Sequence, residues 1–121
     1  MRVLIVDDNA SMRQLLHTVL EGIAEIAGEC DDGAGAEAAF EVVRPDCVLM
    51  DIRMSVVDGL EATRRLTAKH PDARVIIVTE YDDARARDAA AAAGAAGCVN
   101  KDDLVSLRRV LGASLSKEKE R

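Results

Sequence analysis

The sequence predicts an α/β fold, a five-stranded parallel sheet doubly wound with helices on both faces. Short runs such as Val3-Leu4-Ile5-Val6 and Val75-Ile76-Ile77-Val78 are apolar throughout rather than alternating, as strands buried on both faces must be. Between such runs lie segments with apolar residues at three- and four-residue steps, the mark of helices with one buried face. Hydrophobic residues make up 49% of the 121-residue chain and aromatic ones only 2%, so a single core of Val, Ile, Leu and Ala is expected.

The elements follow in order. Val3 to Val6 is the first strand. A helix follows, with Met12, Leu15, Leu16, Val19, Leu20 and Ile23 on its apolar face. Either Asp8 or Asn9 caps it. Glu25 to Cys30 is a weaker strand, and Asp31-Asp32-Gly33 a turn. Ala36 to Val43 forms a helix that ends at Arg44-Pro45, because Pro disfavours helix in the residue before it. Cys47 to Met50 is a strand and Gly59 to Lys69 a helix of strong formers. After the strand Val75 to Val78, Ala84 to Ala93 makes an Ala-rich helix ended by Gly94. Cys98-Val99 is a brief strand, and Asp102 caps a last helix with Leu104, Leu107, Leu111 and Leu115 on one face. Residues 1–115 then form one domain, and 116–121 a charged tail or the start of a linker.

Composition excludes several functions. A formal net charge of −6 repels phosphate backbones and anionic lipid, so neither nucleic acid nor membrane is an expected partner of this domain. So few aromatics leave little with which to stack bases or flavins. Cys30, Cys47 and Cys98 are odd in number and far apart, which suits neither a disulfide framework nor a zinc site. The N-terminal apolar run is too short and too quickly acidic for a signal peptide, and no run approaches membrane-spanning length, so a cytoplasmic location is expected.

The chemistry gathers at the strand ends. In open parallel sheets the ligand site lies beyond the carboxyl ends of the strands, where the strand order reverses. In the flavodoxin-like order 2-1-3-4-5 the first strand delivers Asp7 and Asp8 there, the third Asp51, the fourth Thr79 and the fifth Lys101. Three carboxylates in one crevice repel, and their pKa values rise unless a cation intervenes. A hard divalent ion resolves this, with Mg²⁺ the natural candidate. Such a set suits phosphoryl chemistry: Asp51 accepts the group as an acyl phosphate. Asp7 and Asp8 hold Mg²⁺ with help from the main-chain carbonyl near Arg53. Thr79 and Lys101 bind the phosphoryl oxygens.

Taken singly, each of these residues has an ordinary reading. An Asp after a strand is most often a turn or cap residue, Thr79 a turn hydroxyl and Lys101 a surface lysine. His17 and His70 lack partners in sequence and read as surface or helix-end residues. The run Ala89 to Ala93 is helix propensity, with side chains small enough to anchor its helix lightly.

Leu4-Ile5-Val6-Asp7-Asp8-Asn9, Val48 to Met54 around Asp51, Asp58-Gly59-Leu60, Val78-Thr79 and Asn100-Lys101-Asp102-Asp103-Leu104, in this order and spacing, resemble the receiver domain of two-component response regulators over essentially the whole chain. The resemblance implies Mg²⁺-dependent transfer of a phosphoryl group to Asp51 from a histidine kinase or histidine phosphotransfer protein. It also implies slow self-catalysed dephosphorylation, and signalling through the face of the fourth helix, fifth strand and fifth helix. That face is also a route to a homodimer in this family. An output domain or downstream protein would read the signal, and the Lys101 to Leu104 ending is similar to receivers joined to helix-turn-helix domains.

The chain departs from the family at two positions. Ser55 stands where members usually carry Pro, which predicts a less rigid loop. Cys98 stands where they usually carry Tyr or Phe, a ring thought to rotate inward as the threonine shifts. The switch then rests on Thr79 and its loop alone, or Tyr81 takes part. Arg53 and Tyr81 follow the acceptor and the threonine by two residues, positions that in the family flank the path of the attacking water, so a longer-lived phosphoryl group is expected.

Three other readings use similar parts. An aspartyl phosphatase or phosphomutase typically has a second Asp two residues after the nucleophile, where this chain has Arg53. A flavin-binding electron carrier needs a phosphate loop after the first strand and aromatic walls, both missing. A receiver fold kept as a phosphorylation-independent interaction module is opposed by the intact five-residue set and kept open by Cys98.

Overall fold

The computed structural model describes residues 1–54, 57–80 and 84–119. Ten elements alternate: β1 (Arg2–Val6), α1 (Ala10–Leu20), β2 (Glu25–Cys30), α2 (Ala36–Val43), β3 (Cys47–Met50), α3 (Gly59–Lys69), β4 (Val75–Thr79), α4 (Ala84–Ala92), β5 (Gly97–Asn100) and α5 (Leu104–Lys119). The five strands form one sheet in the order β2-β1-β3-β4-β5, every pair parallel. The expected fold is therefore observed.

Successive strand residues point to opposite faces, and the fully apolar strands feed two cores at once. Val3, Ile5, Cys47, Leu49, Ile76, Val78 and Val99 pack with Leu16 and Leu20 of α1 and Leu107 and Leu111 of α5. Leu4, Val6, Val48, Met50, Val75 and Ile77 pack on the other face with Ala36 and Phe40 of α2, Ala62 and Leu66 of α3, and Ala90 of α4. β2, an edge strand, has no fully buried residue, in keeping with its weak signal in the sequence.

β1, β4 and β5 each extend a residue or two beyond the expected runs, and three helix boundaries differ from expectation. α1 stops at Leu20, because Gly22 turns the chain with φ 79° and leaves Ile23 outside the helix. α4 ends at Ala92, before Gly94 with φ 99°. The cap of α5 is Asp103, not Asp102: its carboxylate accepts from the Ser106 amide and hydroxyl, while the Asp102 amide donates to Asn100 Oδ1 at 2.8 Å. At α1 the cap is Asn9, whose side chain accepts from the Met12 amide at 3.0 Å. Leu104, Leu107 and Leu111 face the core as expected, while the Leu115 side chain lies beyond those described.

Neither histidine is without a partner. His17 Nε2 lies 3.1 Å from Glu29, and His70 Nε2 lies 3.2 Å from Glu41 with its ring against Phe40. No helix among the described residues is long and apolar enough to cross a membrane.

Candidate functional site

The carboxyl ends of β1, β3, β4 and β5 surround one crevice, lined by Asp8, Asn9, Asp51, Arg53, Thr79, Glu80 and Lys101. Strand pairing sets its geometry. The Asp51 amide donates to the Val6 carbonyl at 2.9 Å, so the residue after β3 sits beside the residue after β1. The Lys101 amide donates to the Thr79 carbonyl at 2.8 Å, one further rung between β4 and β5. Asp7, Asp51 and Thr79 are buried, Lys101 is mostly so, and Asp8 and Arg53 stand exposed at the rim.

Lys101 Nζ lies 3.1 Å from Asp51 Oδ1 and 3.3 Å from Asp7 Oδ2. Asp7, Asp8 and Asp51 each place a carboxylate oxygen within 4.8 Å of the others. One ammonium facing three carboxylates leaves the site short of positive charge. Burial pushes the Asp51 carboxyl above its usual range, and Asp7 and Asp8 push it the same way against the pull of Lys101. Burial pulls the Lys101 ammonium down, but Asp51 and Asp7 outweigh it and hold Lys101 above the usual lysine range. Among the described residues this is the cluster able to offer a cation three converging acidic ligands. An all-oxygen donor set with a buried carboxyl still uncompensated fits a hard divalent ion.

Local structure fixes the acidic residues from several sides. The Asp7 amide donates to the Cys30 carbonyl of β2 at 3.0 Å, and Asp7 Oδ1 accepts from the Asn9 amide at 2.9 Å. After β3 the chain turns against the start of α3, where the Gly59 amide donates to the Ile52 carbonyl at 2.7 Å. A Cβ on Gly59 would overlap the main-chain oxygen of Asp51, so only glycine lets α3 begin there. Asp58 caps that helix, accepting from the Glu61 amide at 2.8 Å.

Of the residues singled out in the sequence, Asp7, Asp8, Asp51, Arg53, Thr79 and Lys101 come together here. Cys98 does not. It lines a separate cleft with Arg87, Ala90, Ala91, Ala95, Ala96 and Gly97, where α4 meets β5. Tyr81 and Ser55 lie outside the described residues. Three contributors were missed as site residues: Asn9 beyond its cap role, Glu80, which lines the crevice wall, and Gly59, quoted only as part of a motif. A charged residue directly after Thr79, at the same strand end, was the available signal for Glu80.

The family model of the response regulator receiver domain matches residues 3–111. The chain belongs to that family. It is 44% identical over 82 residues to protein-glutamate methylesterase/protein-glutamine glutaminase 3 of Hahella chejuensis, covering 67% of this chain but 24% of that protein. It is 38% identical to the chemotaxis protein CheY of Halobacterium salinarum, with 83% of each chain covered. Among solved structures, a two-component response regulator of the LuxR family from Aurantimonas sp. SI85-9A1 superposes with a TM-score of 0.91 at 28% identity, covering 96% of this chain and 85% of that one. The chain thus matches about a quarter of one relative and most of another. This receiver domain has the sheet order and the acidic crevice expected from its sequence.

Proposed function

We propose that this receiver domain takes a phosphoryl group onto Asp51 from the phosphohistidine of a histidine kinase or histidine phosphotransfer protein. The observation that carries the reading is the buried Asp51 carboxylate, 3.1 Å from Lys101 Nζ and grouped with Asp7 and Asp8 at the open end of the sheet. An Asp51 oxygen attacks phosphorus, the P–N bond to the donor imidazole breaks, and the imidazole keeps the electron pair. The product is an acyl phosphate, which water later hydrolyses at phosphorus, releasing inorganic phosphate and restoring the carboxylate.

Asp7, Asp8, Asp51 and the main-chain carbonyl of Arg53 would hold Mg²⁺, which supplies charge neutralisation of the transferred oxygens. Lys101, already between Asp51 and Asp7, is placed to exchange one carboxylate for a phosphoryl oxygen. Thr79 offers its hydroxyl to another oxygen. Arg53, at the rim of the crevice, lengthens the life of the acyl phosphate by crowding the approach of water, and Tyr81, two residues after Thr79 in the sequence, is assigned the same tuning role. The signal leaves through α4, β5 and α5, to an output domain, a separate protein or a second copy of the chain.

Intact-protein mass after incubation with acetyl phosphate tests this, with and without Mg²⁺ and on Asp51→Asn. A metal-dependent gain of one phosphoryl group, absent in the variant, is expected. No gain in a protein that binds Mg²⁺ would instead favour the phosphorylation-independent interaction module.

A further inference from the structure

Arg13 lies on α1, outside the crevice, yet its guanidinium reaches back to the acidic pair. Its Nη1 donates to the main-chain carbonyl of Asp7 at 2.6 Å. Its Nε lies 3.4 Å from Glu29 of β2, and Glu29 in turn lies 3.1 Å from His17 Nε2. The side chain is only 21% exposed, so it is a packed strut rather than a waving surface charge.

The carbonyl it grips belongs to the peptide that joins Asp7 to Asp8. Orienting that peptide sets the directions in which the two side chains leave β1, since a planar peptide leaves the main chain one torsion on either side of it. The Asp7 amide is already held by Cys30 and its carboxylate by the Asn9 amide and Lys101. The Asp7 carbonyl is the remaining polar group of that residue, and Arg13 secures it.

We infer that Arg13 is a positioning residue for the divalent cation, holding the Asp7–Asp8 peptide so that both carboxylates meet one ion, with Glu29 bracing the guanidinium. This rests on the metal-binding reading proposed above. The inference opposes simple electrostatics. A guanidinium near the site repels a divalent cation, so by charge alone its removal would tighten binding. If Arg13 positions the pair, its removal weakens binding instead, as loss of residues supporting metal ligands does, by about tenfold or more.

Isothermal titration of Mg²⁺ into the wild-type protein, Arg13→Ala and Arg13→Lys separates the two, with melting in EDTA as a parallel measure of stability. We expect about tenfold weaker Mg²⁺ binding in Arg13→Ala. Arg13→Lys should be intermediate, because an ammonium keeps the charge but cannot reach the Asp7 carbonyl and Glu29 in the same forked manner. Unchanged or tighter binding in folded Arg13→Ala overturns the inference, even if its melting temperature falls. Should Arg13→Ala fail to fold, Arg13→Lys decides alone, since its charge is conserved and unchanged affinity there is equally fatal. Absence of Mg²⁺ binding by the wild-type protein would overturn the metal-binding reading and this inference with it, whereas normal wild-type binding with unaltered variants removes only the role of Arg13.

Discussion

Asp51 is held in two conflicting ways. Burial and the neighbouring Asp7 and Asp8 disfavour its charge, while Lys101 favours it, and the net effect is a carboxyl pushed above its usual range. A raised carboxyl pKa in the folded state means that folding favours the protonated form. Stability is therefore lost as pH climbs from the unfolded value, near 4, through the raised folded value, and the deficit persists above it. Asp51→Asn removes that deficit. In the absence of divalent cations at neutral pH the variant should be more stable, on the order of 1 kcal/mol, the scale of relieving one poorly compensated buried group. The advantage should fade as pH falls toward 4. Urea melts of both proteins from about pH 4 to 8 in EDTA, spanning that window, measure it. A variant less stable throughout would show that Lys101 compensates Asp51 fully. At this scale the sequence was informative where position within the set named the residue, as for Asp51 and Lys101. It was silent where function runs through the main chain. Nothing in a string of letters says that the Arg13 side chain meets the Asp7 carbonyl or that Gly59 lies against the Asp51 carbonyl.

Strands read more clearly than helix ends. Four-residue apolar runs admit few alternatives once both faces of the sheet are covered, whereas a helix can stop at any of several residues. α1 shows why: Ile23 fits the apolar period, but Gly22 diverts the chain two residues after the helix has ended. Asp102 was the cap expected for α5, but the Asn100 side chain holds the Asp102 amide in the preceding turn and the next residue, Asp103, takes the cap. The cleft between α4 and β5 carries the prediction at this scale. Its walls are Arg87, Ala90, Ala91, Ala95, Ala96 and Gly97 around Cys98, so the small side chains of the Ala-rich helix and the small Cys98 side chain coincide in space. Cys98→Tyr puts a ring at this cleft, whose lining includes none of Asp7, Asp8 and Asp51. Acetyl phosphate labelling should stay within about twofold of wild type, or about 0.4 kcal/mol in barrier. Hydrogen exchange in α4 should respond more strongly to phosphorylation in the variant. An identical exchange response in both proteins would show that the readout does not pass through residue 98.

For the whole molecule, topology and charge act together. Burying apolar side chains on both faces of the sheet confines the acidic cluster to one end, where β1, β3, β4 and β5 stop. The alternation of strands and helices made that end legible in the residues alone, because parallel strands deliver their C-termini to the same edge. Burial first, and the Asp7 charge after it, hold the Asp51 carboxyl above its usual range against the pull of Lys101, so a cation at this end has charge left to offset. A ligand bound only by the folded chain stabilises it by mass action, so Mg²⁺ at about 100-fold over its dissociation constant should add about 2.7 kcal/mol. Thermal melts across a Mg²⁺ series measure this, with Asp7→Asn expected to lose most of the gain. An unshifted melting curve at millimolar Mg²⁺ would argue that the crevice does not bind the ion.

The rung between the Thr79 carbonyl and the Lys101 amide has a practical consequence. β5 lies at the margin of the sheet, with β4 its one strand neighbour among the described residues. The main chain at Lys101 is thus stitched to Thr79 and not to the strands that carry the aspartates. A molecule that peeled β5 away would carry Lys101 off and leave Asp7, Asp8 and Asp51 in place. Displacement of that margin would thus strip the aspartates of their ammonium partner without any contact to the aspartates themselves.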